Sequence, residues 1–269
     1  MSRISAAGRG TVQVDGPATE ESLVLEVRAV SKAFGETQAL REVDLQCRPG
    51  EVHTILGENG SGKSTLVKAL AGVVRPDAGE VVVRGQAVRE YSPRVAAAVG
   101  LVAVFQEVLV APSRSVIDNV LLGHDGLLRR RIARRDRPAV AREALAAVGA
   151  ELPDLATPVE HLPLSVQQQV VIARALVHRP QVLILDESTA ALDAEQRDAL
   201  FAALRGLSSE GVSVVFISHR MDEVMTISDR VTVLRDGCRV ATVARADLEE
   251  QALLGLMGAK PGDGRPSDA

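Results

Sequence analysis

An α/β fold built on a largely parallel sheet is what this sequence predicts, on three observations. Segments with strand and helix patterning alternate along most of the chain. One strand-like run, Glu51 to Leu56, leads through a glycine-rich loop straight into a helical segment, Ser64 to Ala71. A second, Val182 to Leu185, is wholly apolar, as a strand covered on both faces must be.

Taken in order, Met1 to Glu21 is rich in Gly, Ser, Thr and acid and has no continuous apolar core, so residues 1–22 read as a flexible tail without a signal peptide. Leu23 to Val30 and Leu40 to Cys47 alternate apolar and polar residues like half-buried strands. Pro76-Asp77-Ala78-Gly79 is a turn ahead of the strand Glu80 to Arg84, and Leu101 to Phe105 is a short buried strand. From about Gln106 to Leu162 the patterns are helical, with Ser115 to Leu122 and Pro138 to Val148 the clearest, and no strand is convincing. That region reads as a helical insertion. Beyond Val182 to Leu185 come helix Ala194 to Leu207, strand Val212 to Ile217, helix Arg220 to Ile227, and strands Arg230 to Leu234 and Arg239 to Val243. Residues 258–269 are rich in Gly, Pro and Asp and read as a second tail, leaving 23–257 as a single domain.

Composition narrows the function. With 46% hydrophobic residues in 269, the chain can bury a substantial core. Lys and Arg number 31 against 35 Asp and Glu, a formal charge of −4, so no overall basic field draws it to nucleic acid or anionic lipid. One Tyr, four Phe and no Trp argue against base-stacking platforms and aromatic sugar clefts. Arg129-Arg130-Arg131 with Arg134, Arg135 and Arg137 has no interleaved aromatic residue and reads as a solvated helical face rather than a nucleic-acid patch. Cys47 and Cys238 form neither a CxxC pair nor a disulfide framework, which suits a reducing compartment. The longest apolar run, Val95 to Phe105, falls well short of the roughly 18 residues a membrane span needs.

Two motifs carry chemistry. Gly57-Glu58-Asn59-Gly60-Ser61-Gly62-Lys63-Ser64 satisfies GxxxxGK[ST] between a predicted strand and a predicted helix, the context that gives the motif meaning. Its glycines let backbone N–H groups curl toward phosphate oxygens at a helix N-terminus. Lys63 then reaches the β- and γ-phosphates and Ser64 offers a hydroxyl to Mg²⁺, with Thr65 next in the cradle. Val182-Leu183-Ile184-Leu185-Asp186-Glu187 is a buried strand ending in two carboxylates. Alone, such a pair is commonly a solvated strand end; behind a phosphate loop, Asp186 is expected to serve the metal, directly or through water, and Glu187 to face the γ-phosphate as general base.

These motifs and those around them make the chain resemble, across nearly all of Leu23 to Val243, the nucleotide-binding subunit of an ATP-binding cassette (ABC) transporter. Val30-Ser31-Lys32-Ala33-Phe34-Gly35 resembles the family's opening segment, which implies that Phe34 stacks on adenine. Gln106 resembles the Q-loop glutamine that joins Mg²⁺ and the water to the membrane-domain contact. Ser188-Thr189-Ala190-Ala191-Leu192-Asp193 resembles the D-loop, and Ile217-Ser218-His219-Arg220 the switch whose His219 contacts the γ-phosphate. The resemblance implies a P-loop NTPase core of RecA-like type, an antiparallel β subdomain and a helical subdomain at about 107–178. It further implies ATP and Mg²⁺ as ligands, transmembrane permease subunits and a second ATP-binding cassette as partners, and an external substrate-binding protein acting indirectly. The place implied is the cytoplasmic face of the cell membrane, held through the permease, with no nucleic acid bound.

The family signature, usually LSGGQ, is where the match weakens. A gapless alignment anchored on Ile172 to Leu176 and Asp186-Glu187 puts Leu162-Pro163-Leu164-Ser165-Val166 at its five positions. Pro163 has neither hydroxyl nor N–H. Ser165 is left as the expected helix cap and nucleotide contact. The D-loop departs too, with Ser188 for the usual Pro and Ala190 for the usual Ser. Gly50-Glu51-Val52-His53, the Gln-rich helix Gln167 to Gln169 and Ser218 to Glu223 resemble the ribose, galactose and xylose import ATPases, whose first cassette often has an irregular signature. The expectation is an ATPase subunit powering sugar import. A non-sugar cargo stays open, as does a weak cassette that pairs with a second one. A DNA-scaffolding or ribosomal cassette would carry a long coiled coil or a charged linker, and a small-molecule kinase would have no use for the Q-loop, D-loop and switch in this order.

Overall fold

The computed structural model of the chain describes residues 3–5, 11–13, 23–124, 132–152 and 154–258. Two three-residue strands, β1 (Arg3–Ser5) and β2 (Thr11–Gln13), pair antiparallel inside the segment the sequence assigns to a tail. The rest of that tail, residues 259–269 and Arg129 to Arg131 lie outside the described residues.

The domain begins with a long hairpin, β3 (Leu25–Phe34) and β4 (Thr37–Cys47), turned at Gly35 and Glu36. β5 (Val52–Leu56) follows and is buried along its whole length, then α1 (Lys63–Leu70). β6 (Ala78–Val83) and β7 (Gln86–Ala87) close a sheet of order β4-β3-β6-β7. α2 (Pro93–Ala98) leads to β8 (Leu101–Val104); α3 (Val116–Val120), α4 (Arg137–Ala146) and α5 (Leu164–Val177) make the helical insertion. β9 (Val182–Asp186), α6 (Ala194–Ser209), β10 (Ser213–Ser218), α7 (Met221–Ile227), β11 (Arg230–Arg235), β12 (Cys238–Ala244) and α8 (Glu250–Met257) complete the chain.

The second sheet has the order β12-β11-β5-β10-β9-β8, parallel except for its edge strand β12. Its central strands divide their side chains by the period of two. Leu183, Leu185, Val214 and Phe216 face a core shared with α5, α6 and the insertion. Ile184, Val215 and Ile217 face a core filled by Leu66, Val67 and Leu70 of α1 and by the antiparallel sheet. The phosphate loop's helix is thus clamped between two sheets. Phe216 is fully buried and meets Phe201 edge-on at 5.7 Å between ring centroids, a pair worth about 1 kcal/mol beyond its area.

In the insertion, buried Asn119 holds the loop before α3. Its Oδ1 accepts the Ala111 amide at 2.7 Å, and its Nδ2 donates to the carbonyls of Ala111, Arg114 and Ser115. Arg174 of α5 donates to Asn119 O at 2.7 Å and Leu109 O at 2.8 Å, lashing that loop to the helix. The expected helical face of arginines is corrected. Exposed Arg134 and Arg135 precede α4 in a turn, and Arg137 opens the helix 3.5 Å from Asp118. Gly258, assigned to the trailing tail, is the left-handed residue closing α8 (φ 106°), a conformation that glycine adopts without steric cost.

Candidate active site

Four parallel strands end in register, and the predicted site residues follow those ends. Leu56 of β5 pairs with Ser218 of β10, Ile217 with Asp186 of β9, and Leu185 with Val104 of β8. The phosphate loop, His219, Glu187 and Gln106 therefore leave the same edge of one sheet, the carboxyl edge where open α/β sheets take ligands.

Between β5 and α1 the loop turns at Gly60 and Gly62, with φ of 83° and 104°. A Cβ on Gly62 would lie 2.7 Å from the Ala39 carbonyl of β4, so the hairpin presses on the loop and only glycine fits. Gly237, in the β11–β12 turn, donates its amide to Ser61 O at 3.1 Å from the other side. Glu58, Asn59 and Gly60 stay exposed at the tip, Ser64 is exposed and Thr65 half-buried. Lys63, 5% exposed, donates from Nζ to the carbonyls of Gly57 at 2.7 Å and Glu58 at 2.9 Å. Burial lowers its pKa below the ordinary lysine value against the pull of Glu187 and Asp186, so both carboxylates stand close to the ammonium.

Glu187 is a non-glycine residue at φ 45°, a costly conformation held by its amide's bond to Ile217 O at 3.1 Å. That turn brings its Oε1 to 3.1 Å from His219 Nδ1. Asp186 ends β9, 5% exposed, with its pKa pushed up to about 6 by burial first and the neighbouring Glu187 charge second, against Lys63 and Lys68. The buried carboxylate of Asp186 ending β9, the exposed Ser64 hydroxyl at the start of α1 and the buried, unpartnered Ser61 Oγ in the loop are all oxygen donors, a chemistry that suits Mg²⁺ and phosphate rather than a softer metal.

The raised Asp186 pKa ties the protein's stability to pH. A folded-state pKa above the ordinary 3.8 means the group favours the folded protein when protonated; its contribution is full below 3.8 and is lost as pH rises through about 6. At neutral pH the ionised form costs about 3 kcal/mol, from roughly two units at 1.36 kcal/mol each. Asp186→Asn removes that cost while losing the anionic ligand. The variant without nucleotide should melt about 5 °C or more above the original at pH 8. The gap should shrink as pH falls through 6 and nearly close at pH 4. A melting temperature at pH 8 no higher than that of the original would overturn this account of Asp186.

The remaining predicted residues stand as follows. Gln106 is exposed in the bend after β8. Phe34 closes β3 at the hairpin turn, its ring half-exposed and Lys32 Nζ 5.6 Å from the centroid. Ser165 corrects the expectation of a cap. α5 begins at Leu164 with Pro163 as its N-cap and no side-chain cap, so Ser165 lies in the first turn. Gln167 Nε2 instead donates back to Leu162 O at 2.9 Å. Asp193, last of the D-loop segment, caps α6 through a capping box with Gln196. Sequence reasoning also missed Glu223, a buried carboxylate on α7 bonded to Ser218, and the chain from Glu51 through His53 of β5 to Thr232 of the neighbouring β11. A carboxylate four residues after a histidine at a strand end was a signal in plain view.

Comparison with known proteins agrees with the geometry. Ribose import ATP-binding protein RbsA 2 of Rhizobium meliloti (strain 1021) is 43% identical over 235 residues, which cover 87% of this chain and 46% of that protein. The RbsA 2 protein of Escherichia coli O157:H7 is 40% identical over 242 residues, 88% of this chain and 47% of its own. The chain spans about half the length of the curated relatives it matches. Among solved structures, the dimeric bacterial ABC transporter cassette MJ0796 superposes with a TM-score of 0.75 at 27% identity, covering 82% of this chain and 98% of that one. The family model described as ABC transporter matches residues 40–190, from β4 through the phosphate loop and the paired carboxylates to the D-loop. With more than half of its length inside that match, the chain belongs to the ABC transporter family.

Proposed function

We propose that the chain is the ATP-hydrolysing cassette of a sugar importer, held at the cytoplasmic face of the membrane by permease subunits and supplied by an external binding protein. The observation that carries the chemistry is the convergence of the phosphate loop, Asp186-Glu187 and His219 at one sheet edge. The import of a sugar rests on the ribose import relatives. In this reading Gly57 to Gly62 wrap the phosphates with backbone amides, Lys63 binds the β- and γ-phosphates, and Phe34 stacks on adenine. Glu187 takes the proton of the attacking water and His219 contacts the γ-phosphate. Ser64, Asp186 and Gln106 would hold Mg²⁺, which when bound neutralises charge on the phosphates.

The relatives carry a further half beyond the matched one, which supports pairing with a second cassette. The irregular signature supports it again. In a self-pair, each nucleotide would meet Pro163, with no hydroxyl and no N–H, and the exposed side chain of Leu164 where glycine gives backbone room. A missing donor of this kind costs on the order of 3 kcal/mol in the transition state. The chain alone should be a poor ATPase and a weak ATP-dependent dimer. Rebuilding the segment by Pro163→Ser, Leu164→Gly, Ser165→Gly and Val166→Gln should raise isolated turnover at least about tenfold, roughly half of that free energy. Ser at the N-cap stabilises α5 by about 1 kcal/mol and partly offsets the two glycines in its first turn. Vigorous hydrolysis by the unmodified chain, unaffected by the rebuilt segment, would remove the need for a second cassette. Phosphate transfer to a small-molecule acceptor instead of water would replace the transporter reading with a kinase.

A further inference from the structure

His219 sits between two residues that are tied to one buried carboxylate. Ser218, 2% exposed at the end of β10, donates its hydroxyl to Glu223 Oε2 at 2.6 Å and accepts the Arg220 backbone amide at 3.0 Å. Glu223 lies in the first turn of α7 and is 1% exposed. Its Oε1 has the Arg220 guanidinium at 3.3 Å, out of hydrogen-bond alignment. The Arg220 guanidinium also reaches Asp222 at 3.4 Å, and Asp222 meets Arg197 of α6 at 3.1 Å. The short path Ser218–His219–Arg220 is therefore closed into a ring by side-chain bonds that bypass the histidine.

The hydroxyl hydrogen decides how that ring holds. Ser218 has one hydrogen to give, and giving it to Glu223 turns its lone pairs toward the Arg220 amide. Without an acceptor at Glu223 nothing fixes the Ser218 χ1 rotamer, and each departure from it carries Oγ away from the Arg220 amide that it accepts from. A carboxylate in the protein interior is costly to maintain. The bonds it makes here all serve the two residues that flank His219.

We propose that Glu223 is a positioning residue: acting through Ser218, it sets the backbone on both sides of His219 and so holds the imidazole Nδ1 within reach of Glu187. This rests on the reading of Glu187 and His219 as the hydrolytic pair. A misplacement of about 1 Å can cost on the order of 10²-fold in rate. A loosened, still populated geometry should cost about tenfold.

The test uses the full chain. Glu223→Ala should lower kcat about tenfold with KM for ATP within about twofold, because the phosphate loop is untouched. Ser218→Ala should do the same, and the double variant should be no more than about twofold worse than either, since both break one chain of bonds. Glu223→Gln should recover to within about threefold, its amide oxygen accepting from Ser218 while the part-exposed Arg220 swings away. A second readout needs no turnover. With imidazole-labelled histidine, the His219 resonance, assigned by its loss in His219→Gln, should shift on Glu187→Gln. That response should fall to about a tenth in the Glu223→Ala background and return in Glu223→Gln. A folded Glu223→Ala variant with turnover within twofold of the original, or one whose His219 responds to Glu187→Gln as fully as in the original, would overturn the proposal. So would a Glu223→Gln variant as impaired as Glu223→Ala at equal melting temperature. Should Glu223→Ala fail to fold, Ser218→Ala carries both readouts. A chain that binds ATP but never hydrolyses it, even with the Leu162 to Val166 segment rebuilt, would defeat the hydrolytic reading, and the resonance would still decide whether Glu223 positions His219.

Discussion

Glu187→Gln should leave Mg-ATP bound as tightly as before, or more tightly, and cut hydrolysis by roughly 10²-fold or more. The amide is nearly the shape of the carboxylate, so the left-handed backbone at φ 45° and the contact with His219 at 3.1 Å are within its reach. What it lacks is the capacity to take a proton from water. Removing a negative charge next to the phosphate site also relieves repulsion with the nucleotide, which is why binding is not expected to weaken. Titration calorimetry and a steady-state phosphate-release assay separate the two quantities. Turnover within about twofold of the original would show that another group is the base. A joint loss of binding and turnover would point instead to damage at the turn that Glu187 makes at the end of β9.

How much of this was legible depends on how far each feature is decided by its own segment. The run Glu51 to Ala71 announces itself, because a buried strand, a glycine loop and a helix follow one another within about twenty residues and each is decided locally. The same holds for β9, whose first four residues, Val182 to Leu185, were visible as an unbroken apolar stretch ending at Asp186. α2 escaped notice because it is six residues long and presents one fully buried side chain, Ala96; its signal was the cap, Ser92 before Pro93, rather than any periodicity. α8 is stopped by Gly258, read from composition as the start of a tail. The first turn of α5 shows why Ser165 misled. Ser is a good cap, yet Pro163 already carries the extended dihedrals of an N-cap, and a helix can begin at the next residue. His53 lies in a stretch, Gly50 to His53, that resembles the sugar import ATPases, and its role needed the third dimension. It is fully buried, bonded to Glu51 at 3.0 Å and to Thr232, 179 residues away, at 2.8 Å. Pairings of that separation leave no periodicity in either strand.

Lys63→Ala should abolish tight Mg-ATP binding while leaving the protein without nucleotide about as stable as before. The ammonium is nearly buried, and burial lowers its pKa from the ordinary lysine value. For a lysine that sign means its contribution to stability is greatest above the ordinary value of 10.5 and falls as pH drops through the lowered one, so at neutral pH the charged group is a burden on the fold. Its two bonds to the carbonyls of Gly57 and Glu58 offset part of that burden, and both are lost with it. Glu58 is at the exposed tip of the loop, where water can replace the donor, and the space vacated by the Lys63 side chain lets water reach the buried Gly57 carbonyl. Phosphate has no such substitute. Each charge-assisted bond is worth about 1.5 to 3 kcal/mol, so losing contacts to two phosphates should weaken binding by at least about 10²-fold. Calorimetric titration with Mg-ATP and a thermal melt of the same sample decide it. Affinity within about threefold of the original would sink the phosphate-loop assignment itself. A melting temperature lowered by much more than about 4 °C would mean that Lys63 braces the loop, with the lost affinity reporting a collapsed cradle rather than a missing charge.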